Sequence, residues 1–450
     1  MRGPRPSMPL SRVHLFVAFA FTVMADPVSS VAYAMEAARR HLGDDPTSLF
    51  AAMGAVILII VVVSATYHQL LGRFPSGGGG PRAVAAAFGD GWAFLPVGAL
   101  LVDFTLTVAV SCAAGAAALI AYVPGLEEER MALALGLTAA VAIGVLAGHR
   151  GRVGFAIATQ AFIVLALVVI VAGLGAEPGG PGAAGGGPLL ANVAIVPVLL
   201  SLPLGMALAT GVEAPSDAVA QLPQLDDAAR TRFGRTTLWL MVAIVGTLTI
   251  GLAALAMRLD LGLPASDSTM LADVAQRAVG DGAMFAAFQG ASALLLLAAA
   301  ASSYMAGSGL LKALAVFQGE GRGLLPEPFG RANRFLVPHW GVVLVLGTSV
   351  VLIVAAGGRE QELVPFYAVS VFASFLAATL GSLRISLRER RRGAALVNLA
   401  GAALVGLVLG INLARLDAVI ALAASGVVAV SLWAIWVRRG RPAGLLDAVA

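Results

Sequence analysis

Residues 23–33, Val23-Met-Ala-Asp-Pro-Val-Ser-Ser-Val-Ala-Tyr33, interrupt the first long apolar run of the chain. An acid, a proline, two serines and a tyrosine fall where a helix that only had to span a membrane would carry leucine. Asp at the centre of a spanning helix costs roughly 2.5–3.5 kcal/mol even on the mild insertion scale. Pro27 removes a backbone donor and clashes with the preceding turn. The stretch predicts a helix broken near Asp26–Ser30, its freed carbonyls and hydroxyls facing a protected cavity.

The rest of the chain fits that reading. Of 450 residues, 59% are hydrophobic and only 12% charged, too apolar for a soluble globular protein. The formal charge of +4 does not point to nucleic acid, because the arginines lie between the apolar runs. Cys112 is the single cysteine, so no internal disulfide forms. The five histidines show no metal-ligand spacing, and no nucleophile–base arrangement appears. Neither a metal, a cofactor nor an enzyme is expected. The first apolar segment is long, carries Asp26 and lacks a small-residue cleavage site, so it reads as a span and not a signal.

A spanning helix needs about 20 apolar residues. That rule predicts an all-α polytopic membrane protein with about twelve transmembrane helices. They fall near 13–38, 49–70, 92–122, 131–148, 154–174, 189–213, 236–257, 284–306, 339–356, 363–383, 394–414 and 417–437. With both termini cytoplasmic, arginines such as Arg73, Arg82, Arg230, Arg388 and Arg391 lie inside. Only Arg39, Arg40, Arg130, Arg258, Arg277, Arg359 and Arg415 lie outside. This bias sets the orientation in the cell membrane. The predicted divisions are a tail at 1–12, a transport core at 13–383, two further helices at 384–437 and a short tail at 438–450. Residues 175–188 read as a flexible Gly/Pro-rich outer loop. Residues 258–283 leave room for a surface helix around Leu271–Ala278, and 307–338 form a long inner connection.

Three more stretches carry polar groups at membrane depth. Leu101-Val-Asp-Phe-Thr-Leu-Thr-Val-Ala-Val-Ser111 sets Asp103, Thr107 and Ser111 four residues apart, one stripe on a helix. Leu202-Pro-Leu-Gly-Met-Ala-Leu-Ala-Thr-Gly-Val-Glu-Ala-Pro215 predicts a second break, near Gly205–Gly211, with Thr210 and Glu213 supplying oxygens. Glu213 equally reads as the start of a cytoplasmic segment. Pro365-Phe-Tyr367 brings a phenol that also suits an aromatic belt. Ser76-Gly-Gly-Gly-Gly-Pro-Arg82 lacks the lysine and strand context of a nucleotide loop and reads as a turn or gate. Interrupted first and sixth spans at matching places point to a five-plus-five inverted repeat, LeuT-like, with two helices added.

Asp-x-x-Ser-Ser-Val-Ala-Tyr in the first span, Ser-Gly-Gly-Gly before the third, Leu-Val-Asp-x-x-Leu-Thr-Val-Ala-Val-Ser within it and Thr-Gly-Val-Glu-Ala in the sixth resemble the KimA-type potassium importers. These belong to the amino acid–polyamine–organocation superfamily. The resemblance runs from the first span through the tenth. It implies that potassium enters together with protons, and that Asp26, Tyr33, Thr107, Ser111, Thr210, Glu213 and Tyr367 hold the ion. Asp26, Asp103 and Glu213 are the proton-coupling candidates. Phe104 stands where the family has a tyrosine, and Pro27 where a small residue is usual. The family's cytoplasmic domain after the last span has no counterpart up to residue 450. The rival expectations are an amino-acid or polyamine permease on the same fold, and a nontransporting membrane sensor. Expected partners are potassium, protons and the lipid bilayer, without nucleic acid.

Overall fold

The computed structural model describes residues 12–43, 46–148, 152–178, 193–316 and 323–442. Most of the expected loop at 175–188 lies outside these residues, as do most of both expected tails. Among the described residues the chain is helical, without strands. Ten helical stretches there are long and apolar enough to cross a membrane.

The first expected span is three consecutive segments, α1 (Arg12–Val23), α2 (Ala25–Ser29) and α3 (Val31–Leu42). The joints at Met24 and Ser30 keep right-handed helical backbone. Hydrogen bonds bridge both joints, from Val28 N to Met24 O at 3.0 Å and from Ala34 N to Ser30 O at 3.0 Å. The expected non-helical break is therefore a pair of joints and not an unwound loop. Pro27 can remove only its own bond, and Ser29 Oγ takes up Asp26 O at 2.6 Å.

The helices that follow are α4 (Pro46–Arg73), the short α5 (Gly79–Phe88), α6 (Phe94–Tyr122), α7 (Arg130–Leu146) and α8 (Arg152–Leu174). The sixth expected span is α9 (Ile195–Gly205), a tight 3-10 turn over Met206–Ala209, and α10 (Ala214–Ala218). Here the chain does unwind. Thr210 leaves helical space with ψ 139°, and Gly211 has φ +79°. The break lies at Thr210–Glu213, a little beyond the expected Gly205–Gly211. Gly205 is a packing glycine: a Cβ there would sit 2.8 Å from Met53 Cε and 3.0 Å from Val56 Cγ2. Gly211 turns the chain, since a side chain in left-handed backbone costs about 1–2 kcal/mol.

The remaining elements are α11 (Asp227–Arg258), α12 (Met270–Val279), α13 (Ala283–Ala315), α14 (His339–Ala355), α15 (Glu360–Arg388), α16 (Arg392–Asn412) and α17 (Leu416–Arg438). The surface helix expected around Leu271–Ala278 is α12. Thr269 caps it, its hydroxyl accepting from Ala272 N at 3.1 Å.

At the centre, α6 packs against α13, α15 and α17. Its buried face is rich in small residues, among them Ala109, Ala113, Gly115, Ala116 and Ala117. In lipid, where water does not drive helices together, such faces bring backbones close and gain dispersion contact. α15 lies beside α6 and also touches α3, α9 and α5. The interrupted segments, α6 and α15 thus share one interior.

Candidate functional site

Gly211 faces the first interrupted segment directly. A Cβ on it would lie 2.7 Å from Pro27 Cδ and 3.3 Å from Asp26 Oδ2. The lack of a side chain at Gly211 lets the two interruptions meet. Across that contact Ser30 Oγ lies 2.9 Å from Thr210 Oγ1 and 2.9 Å from Tyr33 Oη.

Tyr367 of α15 closes the other side. Its ring meets that of Tyr33 edge-on, centroids 6.2 Å apart. Thr107 Oγ1 lies 3.2 Å from Tyr367 Oη, which in turn reaches Asp26 Oδ1 at 3.5 Å. Asp103 is tied to α15 through Ser370, whose hydroxyl is 3.4 Å from Asp103 Oδ1. Oxygens from α2, α3, α6, the 210–213 break and α15 therefore form one polar interior.

Of the expected residues, Asp26, Tyr33, Thr107, Thr210 and Tyr367 join this hydrogen-bonded set. Asp103 joins through Ser370. Ser111 is fully buried one turn beyond Thr107, and its hydroxyl has no partner among the described residues. Glu213 is only 7% exposed, so it is not the first residue of a solvated segment. It lies within electrostatic reach of Asp26 and Asp103. Among the described residues, no arginine or lysine forms an ion pair with any of these three acids.

Sequence reasoning missed Ser370 and gave Ser30 no role in the ion site. Ser30 was one of several hydroxyls in its stretch. Ser370 stands three residues after Tyr367, on the same helical face, and that spacing was its only signal.

Polar contacts also close the site toward α12. Glu36 accepts from Arg40 at 2.8 Å and from Met270 N, at the start of α12, at 3.0 Å. Arg130 lies 3.7 Å from Glu360, which opens α15. Tyr33, Thr269, Gln289, Ser292 and Glu360 border a cavity of about 10 Å³. That is room for about one water-sized sphere. A larger groove, about 950 Å³, is elsewhere: mostly aliphatic side chains, chiefly of α6, α14 and α17, line it, without a charged residue among them. Its lining suits lipid tails and offers nothing to an ion.

The arrangement suits a small cation. It offers carboxylate and hydroxyl oxygens in a site shielded from water, where opposite charge attracts strongly and like charge is excluded.

The amino acid permease family profile matches residues 15–437. The chain is also similar to the potassium transporter KimA of Bacillus subtilis (strain 168), with 28% identity over 403 residues. The match covers 86% of this chain and 64% of that protein, so the chain spans under two thirds of the relative's length.

Proposed function

The chain belongs to the amino acid permease family, and on that premise we propose that it takes up potassium together with protons by alternating access. It is a multi-pass membrane transport protein. The finer reading is that its first ten spans form a LeuT-like inverted repeat, with the helix interruptions at Asp26–Ser30 and Thr210–Glu213 in matching places. In this reading Asp26, Tyr33, Thr107, Ser111, Thr210, Glu213 and Tyr367 bind the ion. Asp26, Asp103 and Glu213 exchange the proton.

One observation carries the choice of substrate. Asp103 and Glu213 are buried and Asp26 is partly buried, and the three share one interior with several hydroxyls and no paired base among the described residues. Such a site attracts a cation and rejects a carboxylate. An amino acid needs free N–H groups for its carboxylate, and Asp26 stands where those would be. The similarity to the potassium transporter KimA supports the same choice.

Proteoliposomes containing the full chain test the proposal. Rubidium-86 uptake should rise with an inward proton gradient and be accompanied by proton entry. Uptake of an amine or amino acid, with no rubidium uptake above empty vesicles, overturns it in favour of a permease. No uptake of any of them points to a sensor.

A further inference from the structure

Beyond the central network, toward the Arg73 end of α4, lies a second group of oxygens. Glu213 Oε2, Ser216 Oγ, Asp217 Oδ1 and Tyr67 Oη are buried and have no hydrogen-bond partner among the described residues. Tyr67 is 1% exposed and Ser216 is fully buried. Tyr67 lies within electrostatic reach of both Glu213 and Asp217, and the two acids are within reach of each other. The edge-on ring of Phe375, centroids 5.8 Å apart, holds the phenol in place. Neither acid forms an ion pair among the described residues.

The glycine run forms one wall of this group. Gly77 and Gly78 have φ +101° and +66°, and α5 begins at Gly79. The backbone of Gly79 lies beside the Asp217 carboxylate, whose Oδ1 has no partner among the described residues. A Cβ on Gly79 would lie 2.2 Å from Ser216 Oγ, and one on Gly80 3.5 Å from Tyr67 Oη. Gly79 comes this close to Ser216 because it has no side chain, whereas a Cβ on Gly80 would make an ordinary contact with Tyr67.

Unpartnered buried oxygens are costly, and paired acids without a base more so. A proton shared between the two carboxyls would leave both hydroxyls unsatisfied. A cation touching all four groups would satisfy them together. We propose that Glu213, Asp217, Ser216 and Tyr67 form a second station for an alkali cation, beyond the central site, with the Gly79–Gly80 backbone as its wall. This rests on the transport reading above and adds three residues to it. The ion passes from the Asp26 side to Glu213 and on to Asp217.

The test is equilibrium binding of rubidium-86 to the purified full chain in a sodium-free buffer. The unsubstituted protein should bind two classes of ion. Asp217→Asn and Tyr67→Phe should each bind about one ion fewer at saturation and keep the other class. Asp26→Asn should lose that other class instead. Ser216→Ala, the mildest change, should weaken the second class several-fold and serves as the reading if the others fail to fold, judged by melting without rubidium. If the unsubstituted protein binds no rubidium, the transport reading fails and the station with it. If it binds rubidium and the folded Asp217, Tyr67 or Ser216 variants bind the same amount with the same affinity, the station alone is overturned.

Discussion

Ser30 and Thr210, 180 residues apart, stand with their hydroxyl oxygens 2.9 Å from each other. The pair belongs to a short chain of hydroxyls that also includes Tyr33. Thr210 donates to Ala207 O at 2.8 Å, so its one proton is spent. With that proton so placed, Ser30 donating to Thr210 and Tyr33 donating to Ser30 satisfies both 2.9 Å contacts, and Asp26 O at 3.5 Å is a second acceptor for Ser30. In that arrangement the phenolic oxygen of Tyr33 keeps a lone pair to offer a cation. The two interrupted segments are thus joined by hydroxyls that also aim a ligand oxygen.

Ser30→Ala should therefore cost more than one hydrogen bond. Tyr33 loses its acceptor in a buried place, a loss of about 1–3 kcal/mol. A lower melting temperature and a several-fold weaker rubidium uptake are expected. Thr210→Ser should keep both near the unsubstituted values, since it retains the hydroxyl. If Ser30→Ala melts and transports like the unsubstituted protein, the hydroxyl chain has no part in the site.

The acids are tested by substitutions that keep size and remove charge. Asp26→Asn and Glu213→Gln should each lower uptake at least about tenfold while the protein stays folded and inserted. Melting and membrane recovery provide the fold control. A variant that transports normally with unchanged pH dependence removes its residue from the ion site and from the proton path.

Gly211 tests whether the two interruptions must touch. Alanine there meets Pro27 Cδ at 2.7 Å in backbone with φ +79°. The strained conformation alone costs about 1–2 kcal/mol. Gly211→Ala should lower the melting temperature and lose most uptake, whereas alanine at the open Gly54 should do neither. Equal melting of the Gly211 and Gly54 variants would show that this contact is not tight.

Much of this interior was legible because it offends the membrane. Asp26-Pro27 and Glu213-Ala-Pro215 stand out in apolar runs, and the four-residue step from Asp103 to Thr107 puts both on one face. Tyr367 was not decidable, because a phenol in a span suits a belt as well as a site. Only the contact with Thr107 and Asp26 separates the two. Glu36 and Met270, 234 residues apart, could not be paired from sequence, since nothing local marks which acid caps which helix. The degree of unwinding was not legible either. Proline and glycine mark where a helix can yield, but neighbouring packing decides. The first segment stays helical at Met24 and Ser30, and Gly205 only makes room for Met53.

A pH prediction concerns the ends of α4 and α15, where Arg73 and Glu389 meet. Arg73 bonds Glu389, and this holds the Glu389 carboxyl below its ordinary value. A depressed carboxyl stabilises the folded state above the unfolded value of about 4.3, and the benefit disappears as pH falls through the lower folded value. The pair is exposed, so the benefit is small. Carbon-13 titration of Glu389 should give a midpoint below that of an isolated glutamate, moving up in Arg73→Gln. An unchanged midpoint in that variant would show that the arginine does not act on it.

The last prediction separates substrate classes without a transport assay. A ligand that binds only the folded protein raises its stability, by about 2.7 kcal/mol at a hundred times its dissociation constant. The central oxygens come from side chains on several segments, so an ion held among them ties those segments together. Potassium and rubidium should raise the melting temperature above a sodium control at equal ionic strength. The rise should shrink in Asp26→Asn, which removes the charge nearest Tyr367. Neutral amino acids should give no rise, because among the described residues no base near Asp26 waits for a carboxylate. A polyamine needs a longer trough with acids at intervals and aromatic walls for its ammonium groups. Near Asp26 the aromatic walls are Tyr33 and Tyr367, and both phenols already point into the hydroxyl network. Protection by an amino acid or a polyamine, with none by potassium above sodium, would overturn the potassium reading and favour an organic substrate.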